Sequence, residues 1–192
     1  MSIPPRFQVV QQTATNLSST LRGLQARASP HGGPVATCYA SYCSSMNKLR
    51  DRVLPSACET SDFLVANIFG ELLRQGATSA EKKDAIDRFR NSLGRKISPV
   101  RDLQQEMEQL RDTLTAEALQ PFQGNPTALA NQFETIVGAI QSINMFYDRI
   151  QSFCSQFRTK IDQGVNITSE IQEEARWLTA VSADYRMFRP TT

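Results

Sequence analysis

"IVGAIQSINMFYDRIQSFCSQF", residues 136–157, contains only two charged residues, the adjacent Asp148 and Arg149. Ile136, Ile140, Ile143, Tyr147, Ile150, Cys154, Phe157 and Ile161 alternate in steps of four and three, which is a heptad seam on an α-helix. Ala139, Phe146 and Phe153 lie beside the seam and widen the apolar stripe past what one partner helix covers. A two-stranded coiled coil would carry charges at those flanking positions. The stretch therefore reads as the central stave of a multi-helix bundle, poor in charge because neighbours bury much of its circumference. Gly138 costs about 1 kcal/mol of helix propensity relative to Ala, and close approach of another helix is expected to compensate. Asn125-Pro126 and Gly164 bracket the element as a helix over 126–162, about 55 Å long.

The same periodicity runs outward from this helix. Phe7, Val10, Ala14, Leu17, Leu21, Leu24 and Ala28 form one stripe, predicting a helix over 6–28 that "SPHGGP" ends. Val35, Tyr39, Tyr42, Met46, Leu49 and Val53 predict a second over 35–54, with Pro55 after it. A third is expected over 60–75, carrying Phe63, Leu64, Ile68, Leu72, Val65, Phe69 and Leu73 and buried on more than one side. Thr78 and Glu81 form a capping-box pattern for a helix over 79–93 that stops at Gly94. Ser98-Pro99 opens the next, over 98–118. A last helix over 168–187 follows Ser169, with Gln172 three residues on. No strand pattern competes. The expectation is one all-α domain spanning 1–192, an elongated bundle of five or six helices around the 126–162 stave.

Apolar and charged contents of 40% and 21% are those of an ordinary globular protein. A net charge of +2 does not mark a dedicated nucleic-acid binder. The charge is uneven: residues 1–54 carry six bases and one acid, so the remaining 138 residues sum to −3. If the first two helices pack antiparallel, Arg22 and Arg27 end up far from Lys48, Arg50 and Arg52, so no continuous nucleic-acid footprint forms. The opening "MSIPPRFQVVQQ" lacks the pattern of a secretory signal, and no run has the ~18–20 apolar residues of a spanning helix. A cytoplasmic protein is expected, with Cys38, Cys43, Cys58 and Cys154 as reduced thiols.

Chemistry-bearing motifs are missing from this pattern. The one histidine, His31, has no second ligand near it in sequence, and one histidine cannot build a di-iron bundle with paired Glu-x-x-His motifs. Cys38 and Cys43 sit among aromatic core positions and read as small hydrophobes. No catalytic residue, cofactor site or metal site is assigned, and no enzyme is expected.

Two surfaces remain as candidates. Gln141, Met145, Ser152 and Gln156 point away from the seam of the long helix, with Ser142 and Ser155, and would suit docking of a protein partner or of a second copy. The first helix has a Ser/Thr/Gln-rich polar face without acids, and Phe7, Val10, Leu17, Leu21 and Leu24 opposite, which would suit lipid headgroups. That use competes with filling the core. The leading expectation is a non-enzymatic scaffold or interaction protein that works through helix–helix contacts and self-assembly. The alternative is a membrane-active, lipid-binding or pore-forming bundle. A carrier of an apolar ligand between wide-faced helices is a third expectation.

Overall fold

The computed structural model describes residues 7–188. Its elements are α1 (Phe7–Ala28), α2 (Cys38–Lys48), α3 (Leu54–Phe63), α4 (Phe69–Leu73), α5 (Ser79–Thr113), the short α6 (Ala116–Leu119), α7 (Pro126–Asp162) and α8 (Thr168–Met187). There is no strand among the described residues, and the architecture is the expected all-α bundle.

The two segments expected over 35–54 and 60–75 form one rod. A 3₁₀ turn (Pro34–Thr37) leads into α2, and two π-helical turns, Leu49–Val53 and Leu64–Ile68, join α2 to α3 and α3 to α4. In each π turn the backbone bond reaches back five residues, from Leu54 to Leu49 and from Phe69 to Leu64. The widened first turn lets Pro55 enter in the first turn of α3, where its missing N–H and its ring are tolerated. The rod then ends at Leu73, and Gly76 takes a positive φ in the following loop.

The segments expected over 79–93 and 98–118 are likewise continuous. α5 runs through Gly94 and Pro99 for 35 residues and stops at Thr113, so Ser98 opens no helix. A proline inside a helix costs about 3 kcal/mol and a glycine about 1. Phe89, Leu93, Ile97, Val100 and Leu103 are all buried along this one face, each contributing roughly 1.5–3 kcal/mol. Burial outweighs local propensity. The Thr78–Glu81 capping box forms as read, and Asn125 caps α7 by accepting from the Ala128 N–H. Ser169 does not cap α8, which begins at Thr168 behind Ile167 without a side-chain cap.

Contacts set the arrangement of the staves. α1 packs antiparallel along the first half of the rod: the Tyr42 hydroxyl donates to the Ala14 carbonyl, and the Cys38 thiol to that of Leu21. α8 packs antiparallel along the second half, where Cys58 and Ser61 donate to the carbonyls of Ser182 and Leu178. α1 and α8 point the same way and touch each other, so together they complete one stave beside the rod, α5 and α7. Phe63 stacks on Phe89, and Lys48 pairs with Glu106, fixing the rod antiparallel to α5. Asp87–Arg158, Lys83–Asp162 and Arg111–Glu134 do the same for α5 and α7. Three staves of 35–40 residues, each roughly 50–60 Å long, give the bundle its elongated form.

α7 is the central stave. Every seam residue from Ile136 to Ile161 is buried, as are Val137, Ala139, Phe146 and Phe153 beside it. Two expectations on packing fail. Phe63 is 50% exposed although one face of its ring stacks on Phe89 of α5, and Leu73 is also exposed, so the apolar surface of this segment is covered only in part. A Cβ on Gly138 would meet nothing within 4 Å, so no helix approaches closely there and nothing offsets its propensity cost.

Gly138→Ala is therefore expected to raise the unfolding free energy by about 1 kcal/mol. Ile143→Ala, in the fully buried seam, should lower it by roughly 2–5 kcal/mol. Urea titrations of both variants check the pair.

Candidate functional site

The outer face of α7 holds the first candidate surface. Gln141, Met145, Ser152 and Gln156 are all exposed and lie on one side of the helix, with Asp148 and Ser155 among them. Met145 is 59% exposed, and Gln156 donates to the Ser152 hydroxyl. Charged pairs border this strip on both edges. Toward α5 they are Asp87–Arg158 and Arg111–Glu134; toward α8 they are Lys160–Glu170 and Arg149–Glu174, with Arg149 also lying over the Trp177 ring at 4.0 Å. Arg149 is thus turned off the strip, and Asp148 is its one charge. The poverty of charge in 136–157 has two causes: burial of the seam, and small polar residues on the side that faces solvent.

The second candidate, the apolar face of α1, is inside the bundle. Val10, Leu17, Leu21 and Leu24 are fully buried, while the side chain of Phe7 lies outside the described residues. Exposing those four would cost roughly 6–12 kcal/mol, which is about the whole stability of an ordinary domain. Lipid binding through this face requires α1 to leave the fold.

The basic excess near the N-terminus is mostly engaged with neighbours. Arg22 donates to the Tyr39 hydroxyl and lies over its ring, Arg27 donates to the Phe122 carbonyl, Lys48 pairs with Glu106 and Arg50 with Asp51. The antiparallel packing of α1 and α2 separates the two groups of bases, as expected.

All four cysteines are free. Burial pushes the Cys154 thiol up to about 12 and raises those of Cys38 and Cys58. A raised thiol pKa leaves almost no thiolate at neutral pH, which is the wrong direction for a nucleophile. One surface groove does gather chemistry-bearing groups: Arg50, Cys58, Glu59, Asp62, Tyr185 and Arg186. There the Cys58 thiol donates to the Ser182 carbonyl and Asp62 pairs with Arg186, so neither is poised for catalysis. His31 is exposed in its loop and packs near Phe122. Among the described residues no group of three His, Cys, Asp or Glu could hold a metal ion, and no helix is long and apolar enough to cross a membrane.

Sequence reasoning missed one feature. Residues 88–101 hold five bases, Arg88, Arg90, Arg95, Lys96 and Arg101, and no acid. Splitting this segment at Gly94 and Pro99 hid the run; as one helix it is a continuous basic stretch in the middle of α5. Arg88 pairs with Asp84, whereas Arg90, Arg95, Lys96 and Arg101 make no hydrogen bond or ion pair with the described residues. The signal was available as fourteen residues without a carboxylate.

No family model matches the chain, and no curated protein or solved structure is significantly similar to it.

In the native protein at neutral pH, Cys43, the half-buried thiol, is expected to react first with a thiol reagent. Cys38, Cys58 and Cys154 should react only on unfolding. Peptide mapping of the labelled sites, with and without denaturant, checks the order.

Proposed function

We propose that the chain is a non-enzymatic interaction or scaffold protein that works through helix–helix contacts, with the outer face of α7 as the surface that takes a second copy. One observation carries this reading: the strip of Gln141, Met145, Ser152 and Gln156, centred on a methionine that is 59% exposed between two borders of ion pairs. Residues of this kind cost less to desolvate than charges do, and small hydroxyls and amides can rebond across a contact. Methionine adapts its shape to an apposed surface. The ion-paired borders would form the polar rim such contacts have.

On this reading the protein carries no catalytic centre, and the buried thiols of Cys38, Cys58 and Cys154, raised by desolvation, fit that role. Four unpaired cysteines also suit a reducing compartment such as the cytoplasm.

Light scattering after size-exclusion chromatography tests the proposal. The expected result is a discrete, concentration-dependent oligomer that dissociates on Met145→Lys with an unchanged far-UV circular dichroism spectrum. A chain that stays monomeric at high concentration, or an oligomer indifferent to both Met145→Lys and Ser152→Glu, would exclude self-association through this face.

A further inference from the structure

The unpaired bases of α5 are not scattered surface charge. Arg90, Arg95, Lys96 and Arg101, with Arg88 at one end, occupy about 20 Å of a single helix. The rest of the chain sums to −3 once these five are set aside from the net charge of +2. The pairs Lys48–Glu106 and Phe63–Phe89 fix the register between α5 and the rod, and that register sets Arg52, exposed and also without a partner among the described residues, level with the turn at Val100. At the other end of the run stands Phe63, half exposed and stacked on Phe89 between Arg88 and Arg90.

Geometry narrows what such a face can meet. Arg88 and Arg95 fall on the outer side of α5, Arg90 and Arg101 on its edge toward α7, and the half-buried Lys96 toward the rod, so they diverge and cannot converge on one small anion. α5 is braced by the rod on one side and by α7 on the other, giving a face three elements wide that does not fit a duplex major groove about 12 Å across. One exposed aromatic is too few for a platform that stacks successive bases of a single strand. A planar field of phosphates and carboxylates suits diverging arginines, each of which can pair bidentately where it lands. Clusters of four to eight bases on a helix face attract anionic leaflets, and an exposed ring beside them can settle at headgroup depth.

We infer that the face formed by Arg88, Arg90, Arg95, Lys96, Arg101 and Phe63 docks the intact bundle on an anionic lipid bilayer. Nothing has to unfold: the face is already outside, and α1 stays in the core. The surface is separate from the strip on α7, so docking does not depend on self-association.

Vesicle co-sedimentation at low salt tests this. The wild-type protein is expected to sediment with phosphatidylcholine–phosphatidylserine vesicles, to ignore phosphatidylcholine alone, and to be released as ionic strength rises. Each base removed should weaken binding about five-fold, so the triple variant Arg95→Gln, Lys96→Gln, Arg101→Gln should lose roughly a hundred-fold. Those side chains make no hydrogen bond or ion pair with the described residues, and circular dichroism checks that the variant folds. Phe63→Ala should weaken binding to vesicles while leaving binding to polyglutamate unchanged. Absence of binding to phosphatidylserine vesicles overturns the inference, as does a triple variant that binds like wild type. Wild-type protein that takes polyglutamate or duplex DNA but not vesicles would assign the face to an acidic protein or a nucleic acid instead.

Discussion

The structure depends on the burial of one helix. α7 buries its whole seam and the flank of Ala139, Phe146 and Phe153, so its neighbours must cover it from several sides over about 55 Å. A helix that long cannot be covered by segments of ordinary length unless they are continuous or placed end to end. Both solutions are used. The rod and α5 run unbroken past Pro55, Gly94 and Pro99, and α1 and α8 share the remaining stave. At each would-be break, the apolar side chains on either side contribute more than the local backbone preference withholds.

What was legible in the sequence was what local chemistry decides. The stripes of α1 and α7, the Thr78 box, the Asn125-Pro126 start and the Gly164 stop need only neighbouring residues to be recognised, and they stand where they were read. What was not legible depends on contacts distant in sequence. A proline after an apolar run looks like a terminator until a π turn makes room for it. Gly94 looks like a stop until Leu93 and Ile97 are seen to continue one buried face. The expected burial of Phe63 and Leu73 failed for the opposite reason, since periodicity shows that a face is apolar without showing that a partner reaches all of it. The two candidate surfaces fared differently. The α7 strip could be read from the heptad, because positions opposite a seam must face outward, whereas the α5 face was invisible while its helix was cut in two.

Charge is handled differently at the two kinds of surface. Where staves meet, opposite charges bridge the edges, as in Lys83–Asp162, Asp87–Arg158 and Arg149–Glu174. The exposed pairs among these contribute modestly, about 0–1 kcal/mol each, and serve mainly to set the register between neighbours. On the outer side of α5 the bases have no such duty. Their mutual repulsion is a standing cost that the bundle tolerates through the middle of one helix and avoids at its ends, where Glu81, Asp84, Asp102 and Glu106 mix the signs.

The shared stave has a consequence for how the chain reaches this state. α1 is made first and α8 last of these helices, yet they lie in line and complete the same wall. Until α8 is synthesised, the half of α7 that carries Phe146 has α5 and the rod but lacks its final cover, and Cys58 and Ser61 on α3 lack the carbonyls they bond. The hairpin of α1 and α2 can form early from nearby residues, but closure of the far half must bring together groups more than a hundred residues apart. Such long-range closure is the slow step in proteins with non-local contacts. Assembly is therefore polarised, with one end of the bundle settled early and the other held open to the last helix.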